Sequence, residues 1–90
     1  MPDPFLGAEL GADIPEVDVH GMRSREAEDA VEQLLQGAFM RGDRIVRIIH
    51  GHGAGILAAA VRKKLTDHPN VRAFRVAGGV TFAEIERKAA

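Results

Sequence analysis

The sequence predicts an α/β two-layer sandwich in the order β-α-β-α-β-β, with a four-stranded mixed sheet and two helices on one of its faces. Three observations lead there. Between two short apolar runs lies a helical stripe without a miss, Ala27, Ala30, Val31, Leu34, Leu35, Ala38 and Phe39. A β-branched run, Ile45, Val46, Ile48 and Ile49, passes through His50-Gly51-His52-Gly53-Ala54-Gly55 straight into an alanine-rich amphipathic segment. Gly78-Gly79 then joins two further apolar runs with the spacing of a hairpin turn.

Composition sets the bounds. Ninety residues, 46% hydrophobic, form one small domain with a single core, and four Phe with no Trp or Tyr make that core aliphatic. No run of about 18 apolar residues and no basic, apolar leader is present, so the expectation is no membrane span and no signal peptide. The absence of cysteine excludes disulfides and thiolate metal sites and makes the cytoplasm the expected address. A net charge of −1 argues against gripping nucleic acid with the whole surface, while 12 Lys and Arg still allow a local basic patch.

Residues 1–15 carry three prolines and two glycines and are expected as an extended, partly disordered arm, with Phe5, Leu6, Leu10 and Ile14 able to dock on the body or on a second copy. The domain proper is expected at residues 16–90. Glu16 to His20 reads as a central strand with Val17 and Val19 on one face and Asp18 and His20 on the other. Ser24 is the expected N-cap of the first helix, Glu26 and Glu28 suit its first turn, and Gly42 closes it. Arg44 to Ile49 is the second strand. A right-handed crossover makes it parallel to the first, which brings His20 and His50 to one edge of the sheet.

The second helix is expected from about Ala54 to Asp67, with Ile56, Leu57, Ala60, Val61 and Leu65 inward, stopped by His68-Pro69. Val71 to Val76 is the third strand. For Val80 to Glu86 the signals conflict: Thr81-x-x-Glu84 is a capping box and Phe82, Ile85 and Ala89 have helical spacing. A fourth strand is chosen.

The edge that gathers Asp18, His20, His50 and the glycine turn suits phosphate chemistry. Ligands of open α/β sheets bind beyond the carboxyl ends of the strands, and free N–H groups of a helix's first turn attract anions. Phosphodiester cleavage needs a base, a proton donor and dipoles facing the phosphoryl oxygens. Imidazoles, which change charge near neutral pH, can be base and acid, and Asp18 can orient one. Gly51 to Gly55 can cradle the phosphate, while Arg23 and Arg25, and Arg62 or Lys63 if their helix face turns that way, can hold its neighbours. The same residues also admit plainer readings, a tight strand-to-helix connection and an Asp–His pair that shapes a loop. His50-x-His52 with His20 and Asp18 offers three nitrogens and an oxygen for zinc or manganese, but the pair straddles a glycine turn. A weakly held Mg or Mn ion between Asp18 and phosphate fits better. No acidic residue ends a strand about 20 residues past the glycines and no Gly-Lys-Ser/Thr occurs, so nucleotide cofactors are set aside. Nor is there an aromatic platform for stacking bases, since Phe39 and Phe74 belong to apolar faces.

Val17-Asp18-Val19-His20-Gly21 resembles the LDLHG motif of the Smr (small MutS-related) domain, and His50-Gly51-His52-Gly53-Ala54-Gly55 resembles that family's HGxGxG motif. Arg47-Ile48-Ile49, His68-Pro69, Ala73-Phe74-Arg75 and Gly79-Val80-Thr81 also match, so the resemblance spans roughly positions 16 to 86. It implies the architecture of the C-terminal domain of bacterial translation initiation factor three. It further implies an endonuclease that nicks or cuts DNA, including branched DNA, or RNA, using Asp18, His20, His50, Gly51, Gly53 and Gly55. The alternative is a non-catalytic nucleic-acid-binding or partner-binding module. Two departures stand out: His52 replaces the usual Lys or Arg, making phosphate affinity weaker and pH-dependent, and Ala77-Gly78-Gly79 shortens a usually longer connection near the site. A stand-alone protein, with a homodimer as one further option, is the expectation.

Overall fold

The computed structural model describes residues 3–9, 13–52 and 55–87. Its elements are α1 (Leu6–Glu9), β1 (Glu16–Asp18), α2 (Ser24–Arg41), β2 (Ile45–Ile49), α3 (Ile56–Asp67), β3 (Val71–Ala77) and β4 (Val80–Ile85). The sheet order is β1-β2-β4-β3, with β1 and β2 parallel and the other two pairings antiparallel. The mixed sheet with its two long helices is the architecture expected from the sequence. No helix among the described residues is long and apolar enough to cross a membrane.

The core lies between the sheet and the two long helices. Ala27, Val31, Leu35 and Ala38 of α2 meet Val46 and Ile48 of β2, Ala83 and Ile85 of β4, and Val61 and Leu65 of α3, all buried. The remaining stripe residues Ala30, Leu34 and Phe39 pack at its margin, as does Phe74. Truncating a fully enclosed side chain such as Leu35 removes about 2–5 kcal/mol from a fold of this size, so these contacts fix how the helices lie on the sheet.

Several placements differ from expectation. β1 is an edge strand, not a central one, and its ladder ends at Asp18. The two central places go to β2 and β4, each paired on both sides, with β1 and β3 at the edges. Arg23 rather than Ser24 is the N-cap of α2, and the Glu26 carboxylate accepts the Arg23 backbone N–H at 3.1 Å; Glu26 alone is acidic in the first turn. α3 starts at Ile56 behind Gly55, and Ala54 lies outside the described residues. Ile56 does not face inward; it is 69% exposed.

The contested last segment is a strand. Thr81 does not cap a helix but is buried in β4, and Glu84 sits 3.9 Å from Arg44. Hydrogen bonding to both β2 and β3 outweighs a local helical signal of only a few residues.

The N-terminal segment forms the single turn α1. The Phe5 ring is buried against Phe82, with Ile14, Ile45 and Val80 alongside, on the sheet face away from the long helices. Arg75 stacks over the Phe5 ring at 4.9 Å and bonds Asp3 at 2.6 Å. Leu6 is exposed, and Leu10 lies outside the described residues.

Two polar contacts position the rest. Glu32 of α2 accepts from Lys64 at 2.6 Å and from His68 Nε2–H at 3.1 Å, tying α2 to the end of α3. Lys64 first, then His68 and Gln36, pull its carboxyl down to about 2. At the other end, the Gly79 carbonyl accepts the N–H groups of His50 at 3.0 Å and Gly51 at 2.9 Å. Gly78 takes φ 63°, as its turn requires, whereas Gly79 is needed for space: a Cβ there would stand 3.1 Å from both Cα and carbonyl carbon of Gly51.

Two outcomes are expected. Because Glu32 titrates lower when folded, it stabilises above the unfolded value of 4.5, and that contribution is lost as pH falls toward about 2. Glu32→Gln should therefore cost about 1–2 kcal/mol at pH 7 after allowance for partial exposure, and the gap to the parent should close in acid. Urea titrations at pH 7 and pH 3 check this; an equal gap at both would refute it. Gly79→Ala, facing backbone that cannot step aside, should cost about 1–3 kcal/mol, or about 4–8 °C of melting temperature per kcal/mol in a domain of this length. An unchanged melting curve would show that the approach relaxes freely.

Candidate nucleic-acid site at the ends of the parallel strands

The parallel pairing sets Val17 beside Ile48 and Asp18 beside Ile49, and the Val19 N–H continues to the Ile49 carbonyl at 2.8 Å. The chain therefore leaves both strands at the same edge, one at His20 and the other at His50. A pocket of about 340 Å³ lies there, walled by His20 and Gly21, by residues 50–52, and by Gly55 with the first turn of α3.

Asp18 and His20 form one unit. The Asp18 Oδ1 atom accepts the His20 backbone N–H at 3.0 Å and lies 2.5 Å from Nδ1 of the ring. These two bonds hold the Asp18 carboxyl below its usual range, the ring contact contributing most. A carboxylate can only accept, so Nδ1 carries the proton and the neutral ring keeps its lone pair on Nε2. The His20 side chain is 70% exposed, which leaves that lone pair open to solvent and substrate.

His50 is different. It is only 5% exposed, Nδ1–H donates to the Gly51 carbonyl at 3.0 Å, and Nε2 lies 2.9 Å from the Thr81 hydroxyl. The neutral ring therefore accepts the Thr81 O–H, and both nitrogens are engaged. His52 lies along the hairpin, close enough that a Cβ on Gly78 would meet its Cε1 at 3.3 Å and one on Gly79 its Cδ2 at 3.3 Å. Thr81 and Gly79 thus belong to the site as anchors. Only the Gly79-Val80-Thr81 run hints at them in the sequence, and neither carries an obvious chemical signature.

The glycine turn contributes less uniformly than its spacing suggests. The Gly51 N–H is taken by Gly79, Gly53 lies outside the described residues, and Gly55 is the N-cap of α3 at φ 84°. No side chain caps α3 and its first turn holds no acid, whereas Glu26 occupies that place on α2. The α3 N-terminus is the one that favours an anion. Arg23 and Arg25 are exposed at the start of α2 and do not line the pocket. Arg62 and Lys63 face solvent further along α3.

Among the described residues no three His, Asp or Glu side chains converge to hold a metal. With both nitrogens engaged, His50 does not supply the ligand that a three-histidine set would need. The Asp18 side chain is half-exposed. A wider groove of about 440 Å³ at the opposite end of the sheet contains no histidine, and its charges lie near one another, Arg44 by Glu84 and Arg72 by Glu86.

Comparison with known proteins agrees with this geometry. The Smr domain family model matches residues 17–81. Endonuclease MutS2 of Brevibacillus brevis is 35% identical over 77 residues and that of Staphylococcus carnosus 40% over 77; each match takes in 79% of this chain and 10% of the relative. The chain thus spans about a tenth of the length of these relatives. The crystal structure of the Smr domain of Thermus thermophilus MutS2 superposes with a TM-score of 0.78 at 33% identity, covering 81% of this chain and 99% of that one. YdaL, a stand-alone small MutS-related protein from Escherichia coli, shares the fold, with a TM-score of 0.77 at 24% identity over 87% of this chain and 71% of its own. Motif order, strand topology and these matches lead to one conclusion: the chain belongs to the Smr domain family.

Proposed function

We propose that this chain is a nucleic-acid endonuclease, nicking or cutting DNA, including branched DNA, or RNA, by attack of water on a phosphodiester. The observation that carries this reading is the oriented Asp18–His20 pair, whose His20 lines one pocket with the uncapped N-terminus of α3. The likeness to the Smr domain of proteins named endonuclease MutS2 supports it.

In this reading the scissile phosphate rests at the first turn of α3, held by its N–H groups and Gly55, with His52 beside it; Gly53, a phosphate-binding candidate by motif, lies outside the described residues. His20 Nε2 takes a proton from the attacking water as the new P–O bond forms. The bond to the leaving oxygen breaks, and that oxygen receives a proton. His50 is the candidate donor once Nε2 has taken up a proton from solvent and turned from the Thr81 hydroxyl to the leaving oxygen; as it stands Nε2 accepts from Thr81 and the ring holds Gly51 in place. Arg23 and Arg25 bind flanking phosphates. Asp18 is the residue that would hold a Mg or Mn ion, which would offset the negative charge that builds in phosphodiester cleavage.

A second reading, a binding module that cuts nothing, is favoured by one observation: both His50 nitrogens and the Gly51 N–H already have protein partners. Supercoiled plasmid and a structured RNA, each with and without Mg²⁺ or Mn²⁺, separate the two. Cutting by the parent should fall by about 10²-fold or more in His20→Ala, the usual worth of a positioned base, while gel-shift binding persists; Asp18→Asn and His50→Ala should also impair it. No cutting by the parent in any buffer would leave the binding module. Removing Arg23 or Arg25 should weaken binding and flatten the slope of log affinity against log salt by about 0.9 for each phosphate that is no longer neutralised. An unchanged slope would place the flanking phosphates elsewhere.

A further inference from the structure

Beside the polar groups of the pocket stands a wall that phosphate does not need. Ile56, Leu57 and Ala58 line it, and Ile56 keeps 69% of its surface in water although a helical stripe would turn it inward. At the first position of a helix, acidic or small polar residues are favoured and a β-branched apolar one is not. Nothing in the core accounts for Ile56, since it belongs to neither buried cluster. Its neighbours in the pocket are glycines, which leave room, and the flat imidazoles of His20 and His52. The volume of about 340 Å³ lies at the small end of ligand pockets. An aliphatic ledge among imidazole rings suits a flat heteroaromatic ring, and it adjoins the helix terminus where an anion is favoured.

We propose that Ile56 is a specificity-determining residue that receives one unpaired nucleobase next to the bound phosphate, so that the substrate class is nucleic acid with single-stranded or extruded nucleotides. The inference rests on the phosphate placement given under Proposed function. A base stacked in a duplex cannot reach a ledge beside its own phosphate, whereas a loop, flap or branch offers one at little unstacking cost. No polar side chain of α3's first turn is present to read base edges, so contact by shape and apolar surface makes the pocket tolerant of sequence.

The test is fluorescence anisotropy at fixed salt with a labelled twelve-nucleotide thymidine strand, a duplex of the same length, and thymidine monophosphate as competitor. The parent should bind the single strand about 5-fold or more tighter than the duplex. Ile56→Ala should weaken single-strand binding about 3- to 10-fold with little change for duplex, and Ile56→Phe should strengthen it, an effect that misfolding cannot mimic. Equal shifts for both probes, no shift in either variant, or no preference in the parent would overturn the base ledge while leaving phosphate binding intact. If neither probe binds, the nucleic-acid reading itself falls and this inference with it. Competition by the mononucleotide as effective as by the strand would make the pocket a free-nucleotide site instead.

Discussion

One carbonyl group organises this molecule's functional edge. Gly79 O accepts the N–H groups of both His50 and Gly51, and it can do so only because the residue bearing it has no side chain to hold the two backbones apart. That approach fixes the direction in which the chain leaves β2. It turns His50 inward to Thr81, lays His52 along the hairpin, and delivers the chain toward Gly55 and the start of α3. The short Ala77-Gly78-Gly79 connection is therefore a clamp on the glycine turn, and its brevity is compatible with close contact.

The clamp divides two histidines that look equivalent by sequence. Both end a strand, and the strands are parallel, yet one ring is buried with its nitrogens satisfied and the other stands in water against a carboxylate. Strand pleat decides this. Ile48 and His50 share the face under the helices, while Asp18, paired with Ile49, lies on the opposite one. A single edge thus presents an open, oriented imidazole and an enclosed, immobilised one within one pocket.

Most of the fold is legible in the sequence because its signals are periodic. The α2 stripe, the parallel crossover and the Gly78-Gly79 hairpin all follow from spacing, and the structure places them as expected. What spacing cannot reveal is pairing across the sheet. Whether β1 or β4 is the strand paired on both sides depends on long-range hydrogen bonding, and Thr81 turns from a helix cap into a buried partner of His50 for the same reason. Periodicity points Ile56 inward only if the stripe is extended one turn too far, toward a terminus where Gly55, in a left-handed conformation, has already reset the chain. The site residues His20, His50, Gly51, His52 and Gly55 stand out by motif and do gather, but Gly79 and Thr81, which hold them, have no signature apart from their place in three dimensions.

The edge position of β1 has a consequence for how the site persists in time. Asp18 and His20 hang from a three-residue strand bonded on one side only, whereas His50 and the glycine turn are attached to the centre of the sheet. Openings of a folded protein start where backbone pairing is sparse and leave the interior closed. The Asp18–His20 half of the pocket can therefore detach and return while the domain stays folded. Occupancy of the assembled pocket is set by the local free energy of one short strand, separate from the melting of the whole, so two relatives of equal thermal stability can differ in the fraction of molecules whose pocket is complete.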